Sequence, residues 1–171
     1  MAWRSNQAMK ASAVYGIGSG INGREAAMQA TQRALDQLGA ARPAFGLALA
    51  AQEFDLNEVL AGLLGLLGET PLWGFSTLCP LTGEGDQPRA VVVALVAGED
   101  LQARVQAAEA AAAGAGGAEA AGAEAAERLA MALRAGVFLP QLLLMAADGL
   151  RGSMEPFCQA LSGLPVAVAG G

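Results

Sequence analysis

Phe45-Gly-Leu-Ala-Leu-Ala50, a helical pattern, and then Pro71-Leu-Trp-Gly-Phe-Ser-Thr77 form the stretch that decides the fold. Its first piece is short, apolar and bounded by turn residues, as a buried strand is. Asp55 is a good N-cap for a helix carrying Leu56, Val59, Leu60, Leu63, Leu64 and Leu67, with Gly68 at its end. Proline then opens a second strand, and a glycine punctuates it. Parallel strands need such a crossover, because the end of one lies across the sheet from the start of the next.

The same order of pieces returns near the end of the chain. Leu142-Leu-Leu-Met-Ala-Ala147 precedes a helical pattern and then Pro165-Val-Ala-Val-Ala-Gly-Gly171. Two such copies predict an α/β fold: a layered, mainly parallel or mixed sheet built from duplicated β-α-β units with helices packed on it. Ligands of such sheets sit beyond the carboxyl ends of the strands, so that rim is where a site is expected.

Working outward, Met9 to Ile17 reads as the first strand and ends in Gly16-Ile-Gly-Ser-Gly20. A helix from Asn22 or Gly23 to Leu38 follows, with Ala26, Ala27, Ala30, Ala34, Leu35 and Leu38 as its packing stripe and Gly39 as its stop. Gly62 and Gly65 inside the next helix suggest close approach of a neighbouring backbone, since each costs about 1 kcal/mol against alanine. Leu78 to Pro88 reads as a loop, and Arg89 to Ala97 as a strand buried on both faces. Asp100 is expected to cap a helix to Ala113, Gly114 to Gly117 to break it, and Ala118 to Arg134 to resume it. At 171 residues the chain reads as one domain, able to bury a core without disulfides or metals. Its abrupt end at Gly170-Gly171 suggests the front part of a longer protein.

Composition removes whole classes of chemistry. The sequence has no histidine, which rules out Ser-His-Asp and Cys-His catalysis and the usual general base near pH 7. A net charge of −6 with scattered basic residues is unsuited to a nucleic-acid groove. No apolar run reaches membrane-spanning length, and no signal peptide is evident, so a cytoplasmic protein is expected. Cys79 and Cys158 lie far apart without metal-ligand spacing. No cofactor is expected.

Candidate site residues cluster at predicted strand ends. Ser19 and Asn22 follow the first strand. Gly74, Ser76 and Thr77 close the third, where hydroxyls and backbone amides can hold a carboxylate. Asp148 and Gly149 follow the strand of the second copy, and the Asp148 carboxylate is able to pair with an ammonium or to cap a helix. Gly18-Ser-Gly20-Ile-Asn-Gly23 formally spells the G-x-G-x-x-G dinucleotide turn. The acidic residue that should follow about 20 positions on, at the end of the second strand, is missing: that strand ends in Ala50-Ala-Gln52. Glu84 and Asp86 read as a solvated loop.

Gly16-Ile-Gly-Ser19 with its alanine-rich helix, Phe45 to Ala50 with Asp55 to Gly68, and Pro71-Leu-Trp-Gly-Phe-Ser-Thr77 resemble the FIST N-terminal domain. Asp148-Gly149 with its helix and Pro165 to Gly171 fit the later part of that domain, so the resemblance runs from about Val14 onward. It implies a noncatalytic intracellular sensory domain of signal-transduction proteins, with small ligands such as amino acids. Its implied partners are a signalling output domain or a C-terminal FIST domain. The chain departs from the family in Phe75, where a cysteine is frequent, and in Leu78-Cys-Pro80, where a Gly-Glu pair is usual. Two other functions stay open: a nucleotide-binding enzyme using the Gly18–Gly23 turn, and a structural module that forms a homo-oligomer through its alanine-rich helices.

Overall fold

The structure is a computed structural model and describes residues 11–105, 107, 123–124, 127–128, 130–132, 134–135, 140–146, 155, 158–159, 162 and 166–170. The chain divides into two compact units, Met1–Val105 and Gln106–Gly171.

The first unit carries β1 (Ala11–Gly18), α1 (Gly23–Leu38), β2 (Phe45–Ala51), α2 (Leu56–Leu67), β3 (Leu72–Thr77), β4 (Leu81–Thr82), β5 (Gly85–Asp86) and β6 (Val91–Gly98). Its main sheet has the order β1-β6-β2-β3. β2 and β3 pair in parallel, from Gly46 with Leu72 to Ala51 with Thr77. β6 runs antiparallel between β1 and β2. The sheet is therefore mixed, and β1, β2 and β3 share one direction. Near-continuous valine in β6 shows burial on two faces but carries no signal of direction, so the antiparallel insertion is a structural finding.

Both helices lie on one face of this sheet. Their buried stripes, Ala26, Ala27, Ala30, Ala34 and Leu38 of α1 with Val59, Leu63 and Leu67 of α2, form one core with Ala48, Ala50, Val91, Val93, Leu95 and Ala97. Small side chains let these layers come close. A Cβ at Gly16 would stand 2.1 Å from the Ala30 carbonyl oxygen, and one at Gly18 would stand 2.0 Å from that of Ala26. Gly62 plays the same part between the helices, where a Cβ would meet the Arg24 carbonyl oxygen at 2.6 Å. Gly65, expected to do likewise, faces open space; it lies on the exposed side of α2.

Each helix ends as its sequence dictates. Asn22 and Asp55 cap the N-termini, accepting from the backbone N–H of Glu25 and Asn57. Gly39 and Gly68 stop the helices at φ 67° and 56°, conformations that suit glycine.

The opposite face of the sheet carries Tyr15, Phe45, Leu47, Leu49, Val92, Trp73 and Phe75, as strand alternation requires. Trp73 and Phe75 meet edge to face at 5.7 Å. Leu78 to Pro88 is more than a loop: β4 and β5 form a two-stranded hairpin, with Gly85 at φ 102°. Strands of two residues leave too little periodicity to read in a sequence. The Tyr15 hydroxyl donates to Glu84 Oε1 at 3.1 Å and ties the hairpin turn to this face. Leu101 to Val105 is not helical, so Asp100 does not start a helix there; the rest of that expected helix lies outside the described residues, as does the Gly114–Gly117 break.

In the second unit, β7 (Leu142–Met145) and β8 (Ala167–Gly170) pair in parallel. Glu155, Cys158, Gln159 and Ser162 between them are helical. The described residues from Ala123 to Arg134 are helical too, with an Arg128–Glu124 ion pair one turn apart. The second β-α-β copy therefore exists, and in each copy a glycine of the second strand stands opposite a residue of the first. Gly74 stands opposite Ala48, and Gly170 opposite Met145.

Candidate functional site

The carboxyl ends of β1, β2 and β3 lie on one rim of the main sheet, with the amino end of β6 between the first two. The register fixes this arrangement, because Gly18 and Ala50 both stand opposite Val91. Read along the strand order, the rim presents Ser19, then Arg89 and Ala90, then Gln52, then Thr77. Backbone bonds close it, from Ala51 N–H to Ala90 O and from Gln52 N–H to Thr77 O.

The candidates named from the sequence are spread along this rim rather than gathered. Ser19 and Thr77 sit at its two ends, three strand spacings or about 14 Å apart. No single small ligand touches both. Gly74, Ser76 and Thr77 do not form a turn: all three belong to β3 and stand opposite Ala48, Ala50 and Ala51. Gly74 and Ser76 are exposed. Asp148 and Gly149 lie outside the described residues. Because the strands advance across the sheet in one sense and both helices cover one face, no reversal of strand order opens a crevice here.

The Gly18–Gly23 turn has a different job from the one its spelling suggests. Gly18 and Gly20 bring the turn against the start of α1, where a Cβ on Gly20 would lie 2.8 Å from Ala26 N. Two of the N–H groups of that helix start, where a pyrophosphate would dock, already have side-chain partners, and so has the N–H of Ile21 just before it. Ile21 N–H donates to Glu25 Oε2, Gly23 N–H to Glu58 Oε2, and Glu25 N–H to Asn22 Oδ1, at 3.1, 3.1 and 2.9 Å. Two carboxylates occupy the positive pole of the helix and repel a phosphate. Asn22 is therefore a cap. Its capping role was legible from Asn22 and Glu25 three residues apart, whereas the reach of Glu58 from α2 was not.

One rim residue escaped the sequence reading. Arg89 adopts φ 53°, the left-handed region that side-chain-bearing residues seldom enter. It is exposed, directly precedes β6, and stands between the ends of β1 and β2. A side-chain-bearing residue held in this region stores backbone strain at the rim. Nothing in Gln87-Pro-Arg89 announces that φ value.

Among the described residues, no three metal-binding side chains come together, and no helix is long and apolar enough to cross a membrane. Cys79 and Cys158 are free thiols.

A mixed sheet with its helices on one face and small-residue packing between the layers defines an α/β domain. The FIST N domain model matches residues 44–171, and the chain belongs to that family. FIST domains are sensory domains of signal-transduction proteins. The match begins just before β2, so β1 and α1 lie ahead of it. Comparison with curated proteins gives no match.

Proposed function

We propose that this chain is a noncatalytic, intracellular sensory domain that binds a small zwitterionic ligand of the amino-acid class. Occupancy then shifts the population of states felt by a signalling output domain or a companion FIST domain. The observation that carries this reading is the FIST N match over residues 44–171. The chemistry of the rim supports it. Arg89 supplies a cation for a carboxylate, Ser19 and Gln52 are polar neighbours on either side of it in the strand order, and Glu53 follows Gln52 as an anion for an ammonium group. Thr77 lies one strand beyond Gln52, and Ser76 and Gly74 precede it on the β3 edge. Asp148 and Gly149 are retained as candidates from the second unit.

The nucleotide reading loses support, because Glu25 and Glu58 fill the place a phosphate would need. The absence of histidine supports binding over catalysis.

A thermal-shift screen of amino acids against the whole chain tests the proposal. A ligand at a hundred times its Kd adds about 2.7 kcal/mol, so one or more amino acids at millimolar concentration should raise the Tm. Arg89→Ala should remove that rise, and Asp148→Asn reports whether the second unit takes part. No rise with any amino acid rejects the ligand class.

A further inference from the structure

The two borders of the main sheet are treated in opposite ways. At the β1 border, α1 reaches round the edge: Arg33 donates to the Ile17 carbonyl, and Gln37 donates to the Tyr15 carbonyl at 2.7 Å. Those outward backbone acceptors are filled, so an added strand would have to displace both side chains. At the β3 border nothing comparable is present among the described residues. Gly46 N–H donates to Pro71 O and Gln52 N–H to Thr77 O, which places the odd-numbered residues of β3 toward β2. The backbone N–H and C=O of Leu72, Gly74 and Ser76 therefore point away from the sheet. Gly74, Phe75 and Ser76 are exposed. Edge strands are normally blunted by a charge, a proline or a bulge. Leu72–Thr77 has no charged residue and no proline, and its register with β2 is unbroken.

We infer that the β3 border is an interface that takes β3 of a second copy of this chain, antiparallel, to make one continuous eight-stranded sheet. A second copy fits better than a foreign strand for three reasons. The outward residues Leu72, Gly74 and Ser76 are symmetric about Gly74, so a two-fold axis there sets every donor against an acceptor. The same register places Trp73 of one copy across from Phe75 of the other, and these are the exchanges that stabilise antiparallel pairs most. The strand is also neutral in a chain of net charge −6, so two copies meet there without a clash of like charges. The aromatic pair Trp73–Phe75, half in solvent within one chain, becomes the centre of the contact.

Sedimentation velocity on the full chain, from micromolar to millimolar concentration, tests the inference. The expected result is a species of twice the chain mass that gains population with concentration. Ser76→Pro removes an outward N–H while leaving the bonds to β2 in place, as edge positions tolerate. Phe75→Lys removes the aromatic exchange with Trp73 and sets two like charges diagonally across the axis. Each should return the chain to single mass with its circular dichroism unchanged, and Phe75→Lys decides alone if Ser76→Pro does not fold. Arg33→Ala, at the other border, should leave the doubled species intact. Single mass at every concentration overturns the inference, including the case in which the border serves another protein. A doubled species that survives in a folded Phe75→Lys chain overturns it as well.

Discussion

Gly74 stands opposite Ala48 so closely that a Cβ on the glycine would lie 2.2 Å from the Ala48 carbonyl oxygen. Gly170 repeats the relationship with Met145, at 1.9 Å and with φ 129°. In both β-α-β units one position of the second strand leaves no room for a side chain against the backbone of the first. Gly74→Ala should therefore destabilise the first unit by at least the ~1–3 kcal/mol typical of overpacking, because the obstacle is backbone. Gly65→Ala is the control: nothing lies within 4 Å of its Cβ position, and a helix-interior alanine should add about 1 kcal/mol. Urea unfolding of the two variants should move the midpoint in opposite directions. A neutral Gly74→Ala would contradict the register.

The glycine turn before α1 should respond to packing and not to nucleotides. Gly18→Ala drives a methyl group into the Ala26 carbonyl and should lower the Tm by several degrees. Adenine nucleotides and dinucleotides at millimolar concentration should leave the Tm of the native chain where it is. Glu58→Ala removes the acceptor of the Gly23 N–H and should cost about 1 kcal/mol, as the loss of a helix cap does. A nucleotide-dependent rise in Tm would defeat this reading.

Tyr15 is the single tyrosine of the chain, so phenolate absorbance reports it alone. Its hydrogen bond to Glu84, together with the charge of that carboxylate, raises its pKa above the ordinary 10.0. The folded state holds the proton more tightly than the unfolded state. The stabilisation is therefore present in full below pH 10 and is lost as pH rises through the folded value. An alkaline titration should show a midpoint above that of free tyrosine. Glu84→Gln should bring it down, and Tyr15→Phe should remove this pH dependence of unfolding. An unshifted midpoint would mean that the hairpin is not held to β1 in solution.

Arg89 offers a test that separates function from fold. At φ 53° a glycine avoids the steric cost that a side chain carries there, on the order of 1 kcal/mol. Arg89→Gly should leave stability equal or raised while abolishing any amino-acid-dependent rise in Tm. Lost stability with binding retained would show the arginine to be structural.

Much of this architecture could be read directly from residues. Asn22 and Asp55 start their helices, and Gly39 and Gly68 stop them, because caps and left-handed glycines depend on local chemistry alone. The matched β-α-β copies were legible for the same reason. What stayed hidden depends on partners distant in sequence. Val91 to Ala97 gives no hint that it enters between β1 and β2, and Gly62 differs from Gly65 only through the backbone of Arg24. The site was harder still. Ser19 and Thr77 look like neighbours when each merely ends a strand, but the β1-β6-β2-β3 order sets them apart. Gly18-Ser-Gly20 spells a phosphate loop until Glu25 and Glu58 are seen seated where the phosphate would go.

The Arg33 and Gln37 side chains that seal β1 also limit how far such sheets can grow. A sheet with two bare margins could add molecule after molecule and end as a filament. With one margin stoppered, joining through the other exhausts the valence of the sheet, and growth halts at a closed pair. Removing those two α1 side chains would convert a terminating contact into a propagating one, visible as light scattering.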